Sequence, residues 1–451
     1  MPPPSPTSLS GVIARSTISS PSDDAARQAA HRASLSAATP SFPAGFSLRA
    51  AKLSFVPKEA PSMGPLPMNV CLLSFPPTSS YEIALTRNVL CGAPITYIRD
   101  NILAGRPPLG SLLINNKISN VCAPTGLADA AELCKAVEAA LPGAALPSST
   151  GVIGWSLPLP EMLAALPPLL EGGGGGTPLD FATAIMTTDR YPKLRSRSVG
   201  GSVVMGVAKG AGMIEPNLGT MLAYVLLDFD IPAEDFEEVA GGVVDGSFNC
   251  VSVDGDESTS DTVVVVSSNE GRRPDRSEYP LIREALEGIC GELARDIVRN
   301  GEGTSHVIAC SVLNYPGASA AAVAKKVVNS PLIKTAIAGN DPNIGRLASA
   351  IGSYMGKHET GVPTTWKDTL RIKIGDDVVF DEGAFCLGPG MEEKLSAYIK
   401  ARQFGESTCY PETEECVEIE VDFGCEGGDK AKVWGSDLTK EYVSVNADYR
   451  S

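Results

Sequence analysis

Residues 202–229 read SVVMGVAKGAGMIEPNLGTMLAYVLLDF. An apolar, β-branched run over 202–208 reads as a strand. A continuous apolar run over 221–229 reads as a second strand, buried on both faces. Between them lies KGAGMIEPNLGT, Lys209 to Thr220, with Gly210, Gly212, Pro216 and Gly219. Glycines there permit positive φ and close backbone approach. The order G-x-x-x-x-G-K-[ST] is lacking and no helix start follows, so a phosphate loop is not indicated. On composition alone, the plainer reading is a tight hairpin without chemistry.

Outward from this pair, strand-like runs recur at 69–75, 112–115, 150–153, 262–266, 307–312, 370–374, 417–423 and 440–445. Helical spacing marks 127–141, 281–298 and 321–328. In the longest of these, Ile282, Leu286, Ile289, Leu293 and Ile297 form one apolar face. Helices alternating with strands predict α/β layers. The glycine run 172–176 reads as a flexible loop.

The chain has 451 residues, enough for more than one sizeable core, and a net charge of −16 from 37 basic and 53 acidic residues. An acidic surface disfavours nucleic acid and anionic membranes, and no apolar run reaches the length of a membrane span. Eleven cysteines, none in C-x-x-C spacing, read as reduced thiols in an intracellular protein. With only His31, His306 and His358 available, neither a catalytic imidazole nor a multi-histidine metal site is expected. Residues 1–45 are rich in Pro, Ser and Ala and poor in acids. They read either as a disordered tail or as a transit peptide, the latter implying the mitochondrial matrix, with plastid or cytoplasm as alternatives.

Other segments stand out: SSTGVIG (148–154), AIMTTD (184–189), VDGDESTSDT (253–262), NGEGTS (300–305), KTAIAGNDPNIGR (334–346) and NADYRS (446–451). SSTGVIG is either a plain strand entry or a backbone N–H and hydroxyl offered to an oxyanion. VDGDESTSDT fails the spacing of a calcium loop and reads as a solvated turn. Glu302, between glycines, is either exposed or faces a ligand amine.

Taken in order with Lys209–Leu222, these segments resemble the ornithine acetyltransferase (glutamate N-acetyltransferase) family, from about Ala93 to the final residue. The resemblance implies a layered α/β sandwich, its β-sheets flanked by helices, with a smaller C-terminal α/β domain starting near 315. It implies self-cleavage between Gly219 and Thr220, giving pieces 46–219 and 220–451 assembled as α2β2. It implies Thr220 as nucleophile, its new α-amine as base, and an oxyanion hole at Thr150 and Gly151. Substrate contacts fall on Thr187, Thr188, Lys209, Glu302, Asn446 and Ser451. The implied substrates are N-acetylornithine and glutamate. No metal or cofactor is expected, with acetyl-CoA left open as a co-substrate.

The chemistry is consistent with those assignments. A threonine hydroxyl needs a base. An α-amine titrates near 7.7–8.0, close to working pH. Gly219, without a Cβ, lets the scissile bond take a strained conformation. The sequence departs from the family at Lys117 and Ile118, within NNKISNVC (115–122), where relatives read N-S-G-N-A-N-A-C. It departs also at Arg87 (commonly Thr), Gly219 (usually Ala) and Ser451 (usually Thr). The substitutions at 117–118 leave a self-processed amidase or aminopeptidase as the alternative reading, and a non-catalytic binding relative as the third.

Overall fold

A computed structural model describes residues 21–171, 175–215, 221–359, 361–362, 364–405, 410–411 and 413–447. Gly219, Thr220 and Ser451, and residues 1–20 of the tail, lie outside the described residues.

Two sheets stack face to face. The first has the order β1 (Ser47–Phe55), β2 (Leu66–Ser74), β4 (Leu109–Asn115), β5 (Ala144–Ser149). The second has the order β3 (Ser80–Leu85), β10 (Thr262–Ser267), β8 (Leu222–Leu227), β7 (Ser202–Lys209), β6 (Lys193–Val199). The apolar runs over 202–208 and 221–229 form the antiparallel pair β7–β8, with Lys209 opposite Leu222. Alternate residues of β8 serve two cores, since side chains of a strand alternate faces. Leu222, Tyr224 and Leu226 meet Leu73, Ile114 and Leu146 of the first sheet. Ala223, Val225 and Leu227 meet the helices α6 (Ala233–Ala240) and α7 (Tyr279–Arg299). Burial on both faces explains why this strand is apolar throughout rather than alternating.

The outer face of the first sheet is covered by α3 (Gly126–Glu138) and α4 (Leu159–Leu170). α2 (Ala93–Tyr97) and α5 (Pro178–Ala184) border the inter-sheet core. The result is a helix–sheet–sheet–helix sandwich. A third sheet runs β14 (Ala384–Phe385), β13 (Asp377–Asp381), β12 (Arg371–Ile374), β15 (Val417–Asp422), β11 (Val307–Tyr315), β16 (Asp429–Ser436), β9 (Val251–Ser252). It shares a core with α8 (Ala320–Val328), α9 (Pro331–Ala338), α10 (Ile344–His358) and α11 (Met391–Lys400). The expected layered sandwich with a C-terminal α/β part is what the chain forms.

Several expectations need correction. The strand β11, which opens at Val307, lies inside the third sheet between β15 and β16. The strand expected at 150–153 ends at Ser149, and Thr150–Gly154 turns away beyond it. The strand expected at 440–445 is a helix, α12 (Lys440–Ala447), lying against the 301–305 loop. The alternation of Val443 and Val445 there reflects exposure, 60% and 37%, not a buried strand face. Within the expected disordered tail, Pro21–Ala38 forms the helix α1. Its alanine content favours a helix. Buried His31 donates from Nε2 to Pro192 O at 2.9 Å, and Arg32 donates to Thr183 Oγ1 at 2.8 Å. Gly176, in the expected loop, pairs with Leu48. The ten described cysteines are unpaired.

Phe181 of α5 is fully buried between the sheets, its ring stacked on Tyr224 with centroids 5.3 Å apart. Phe181→Ala should lower unfolding free energy by about 3–5 kcal/mol in urea titration. A loss below about 1 kcal/mol would mean that the two sheets do not share this core.

Candidate active site

Neighbouring strand ends converge at one end of the sandwich. β5 delivers Thr150 and β7 delivers Lys209. The start of β8 carries Met221, and the start of β10 carries Asp261 beside it. Lys209 is buried, and its Nζ donates to Thr150 Oγ1 at 3.0 Å. Burial lowers the Lys209 pKa, while Asp189 and Asp261 work against that fall. Because Thr150 Oγ1 accepts from an ammonium, its own hydroxyl proton is free to point elsewhere. The Thr150 N–H is taken by Asn115 O at 3.1 Å and the Val152 N–H by Lys117 O at 2.8 Å. The Gly151 N–H between them donates to no acceptor among the described residues. One hydroxyl and one amide N–H are therefore left unspent side by side.

Gly151 has φ +133°, and a Cβ there would lie 2.1 Å from the Lys117 carbonyl carbon. Lys117 itself sits at φ 73°. The sequence departure thus has a concrete form. A lysine occupies a left-handed position that ordinarily favours glycine. Ile118, fully buried, bridges to Thr150 and Val152.

Asp189 organises the next shell. Its Oδ1 accepts from Lys193 Nζ at 2.5 Å and from the Gly210 N–H at 2.7 Å; its Oδ2 accepts from the Thr187 N–H at 3.1 Å. Burial alone would raise its pKa. The ammonium groups of Lys193 and Lys209 and the donated hydrogen bonds outweigh burial and bring it to about 2. Asn116 Nδ2 holds the same segment by donating to Met186 O at 3.0 Å. Thr187 and Thr188 are both half-buried; Thr187 is tied to the turn through Asp189, and Thr188 is not.

The turn 210–215 is clamped from its other side. Asp254 accepts from the Met213 and Ile214 N–H groups at 2.6 and 2.8 Å. The VDGDESTSDT segment is therefore a carboxylate clamp, not the solvated turn that its composition suggested. Asp261 Oδ1 accepts from the Met221 N–H. Glu302 N donates to Ala211 O at 2.8 Å, and Glu302 Oε2 accepts from Asn446 Nδ2 at 2.8 Å. Gly212 leaves the room: a Cβ there would lie 2.2 Å from Glu302 Oε2. Buried His306 and Ser305 both bond to Asp437 Oδ2, tying the 301–305 loop to the end of β16 and so to α12.

The structure thus brings together Thr150, Gly151, Lys209, Glu302 and Asn446 around one turn, with Thr187 at its edge. Sequence reasoning missed Asp189, Asp254 and Asp261. The available signal was the recurrence of aspartates in segments flanking a buried glycine turn, whose backbone N–H groups need acceptors. Among the described residues no group of three or more His, Cys, Asp or Glu is placed to hold a metal, and no helix is long and apolar enough to cross a membrane.

Gly151→Ala should cost at least about 10²-fold in kcat, by displacing a donor of the order seen for an oxyanion hole, and lower stability measurably. Near-normal turnover would exclude this loop from the reaction. Because the Asp189 pKa falls from 3.8 to about 2 on folding, its stabilisation is complete above about pH 4 and is lost as pH falls through 2. Urea midpoints measured from pH 6 to pH 2 should show that loss, and Asp189→Asn should flatten the curve.

Residues 67–451 match the ArgJ family, an alignment that begins earlier than the motifs near Ala93 suggested. A Rhodococcoides fascians protein named arginine biosynthesis bifunctional protein ArgJ is 35% identical over 83% of this chain and 87% of its own. The protein of that name from Methylococcus capsulatus is 36% identical over 85% of this chain and 91% of its own. A crystal structure of arginine biosynthesis bifunctional protein ArgJ from Bacillus halodurans is 33% identical over 51% of this chain and 100% of its own, with a TM-score of 0.42. The family match over most of the chain, with identity sustained along nearly the full length of these relatives, places the chain in the ArgJ family.

Proposed function

We propose that the chain is an acyltransferase of arginine biosynthesis that cleaves itself before Thr220 and moves an acetyl group from N-acetylornithine to glutamate. The observation that carries this reading is the unspent pair, Thr150 hydroxyl and Gly151 N–H, beside the strand that Thr220 precedes by two residues. The relatives' name, arginine biosynthesis bifunctional protein, supports the pathway.

In the cut, the Thr220 hydroxyl attacks the Gly219 carbonyl, the acyl group shifts from N to O, and water hydrolyses the ester. The freed α-amine then takes the proton of the Thr220 hydroxyl as the oxygen attacks the acetyl carbonyl. Thr150 and Gly151 donate to the oxyanion; each such donor is worth roughly 3 kcal/mol. The protonated amine returns its proton to the leaving ornithine nitrogen, and acetyl-Thr220 remains. The glutamate amine attacks that ester by the reverse sequence. Lys209 acts through Thr150, aiming its hydroxyl, rather than by holding a substrate carboxylate. Glu302, steadied by Asn446, pairs with the side-chain ammonium of ornithine. Thr187, Thr188 and Ser451 complete the pocket. The word bifunctional supports a second donor, for which acetyl-CoA is the proposal. The proposed assembly is two copies each of 46–219 and 220–451. The mitochondrial address proposed for the tail is independent of this chemistry, and the relatives compared above are bacterial.

Denaturing mass spectrometry of the purified protein should give two pieces, with acetylornithine adding one acetyl group to the C-terminal one. Thr220→Ala should stay one chain and lose activity. An active, uncut wild type would exclude the scheme. Ornithine release that proceeds equally well without glutamate would make the enzyme a hydrolase instead.

A further inference from the structure

Asp261 is a fully buried carboxyl that the mechanism above leaves without a task. Its Oδ1 is spent on the Met221 N–H, and its backbone carbonyl accepts from Thr86 N at 3.1 Å. Its Oδ2 is buried and has no hydrogen-bond partner among the described residues. A buried carboxyl oxygen without a partner is expensive, and its retention calls for an explanation. Burial pushes the Asp261 pKa well above the usual carboxylate range, against the pull of the Met221 N–H and of Lys209.

The covalent chain supplies the missing partner. Residue 220 precedes Met221, and consecutive backbone nitrogens are separated by roughly 3 Å on bond lengths alone. In the uncut chain the nitrogen of residue 220 is an amide. After scission it is an amine, with three donors when protonated. The carboxyl that grips the Met221 N–H is thus adjacent in the chain to the amine that scission creates. We propose that Asp261 is a positioning residue for acyl transfer, whose Oδ1 fixes the peptide behind the nucleophile and whose Oδ2 receives the liberated α-amine. The assignment rests on the self-cleaving reading proposed above.

The consequence is electrostatic. When the Thr220 hydroxyl attacks, its proton passes to the amine, and the ammonium so formed lies against the Asp261 carboxylate. An anion there favours the charged amine and raises its pKa. The other charged groups around this point are Lys209 from β7, Lys193 from β6, Asp189 from the segment before β6, Glu302 from the loop after α7, and Glu257 from the loop that carries Asp261. None of these changes when Asp261 alone is replaced.

Asp261→Asn keeps an oxygen for the Met221 N–H and removes the charge. After intact-mass measurement confirms the cut, its kcat/KM should fall about 10-fold or more, and the acidic limb of its pH profile should move about one unit to lower pH. Asp261→Glu should return the limb toward the wild-type position. A cut Asp261→Asn enzyme whose limb stays in place overturns the proposal, while an active, uncut wild type overturns the self-cleaving reading instead. Should Asp261→Asn not accumulate as cut protein, the wild type decides. In enzyme labelled with 15N-threonine, the α-amine resonance should show a second inflection from the neighbouring carboxyl, and its absence overturns the proposal.

Discussion

Two lysines, Lys193 and Lys209, enter the interior on adjoining strands, and the carboxylate of Asp189 makes that burial tolerable. An isolated ammonium in a low-dielectric interior costs many kcal/mol. Asp189 answers Lys193 directly and Lys209 through space. It spends its remaining lone pairs on the backbone at Gly210 and Thr187. One charge requirement therefore fixes the direction of the glycine turn, the path of the segment after α5, and the position of the ammonium that aims Thr150. Removing one partner of such an arrangement leaves an uncompensated buried charge, which is why the sheet edge and the site stand or fall together.

The same solution is used three times. A turn of glycines at the end of two buried strands leaves backbone N–H groups that need acceptors. Asp189, Asp254 and Asp261 each answer one or more of those groups. The clamps come from different segments, so the turn registers the correct packing of both sandwich sheets and of the connection into the third. The tie from Ser305 and His306 to Asp437 extends that registration to α12 and hence to Asn446. His306 is committed to this tie.

Much of the fold was legible. The runs over 202–208, 221–229 and 262–266 and the apolar face of α7 are strong local signals, and each is a buried element. The failures occur where tertiary contact overrides local pattern. Lys440–Val445 has the residue types of a strand, yet its valines face solvent, and Thr439 and Tyr442 dock onto Gly303 as a helix. The alanine-rich tail has little apolar surface of its own, and its helix is held by His31 and Arg32 reaching partners more than a hundred residues away.

Taken alone, the sequence determined the layered α/β class, because strand and helix periodicities are local. It also marked the segments that meet around the glycine turn, because glycines, hydroxyls and carboxylates keep their character anywhere. Only the tertiary structure decided what those groups do to one another. It set Lys209 against Thr150, turned VDGDESTSDT from a solvent loop into a clamp, and left one oxygen of Asp261 waiting beside Met221. The reason is physical: hydrogen bonds and buried charges act over a few ångströms, and the partners that meet at this site are separated by up to some two hundred residues of chain.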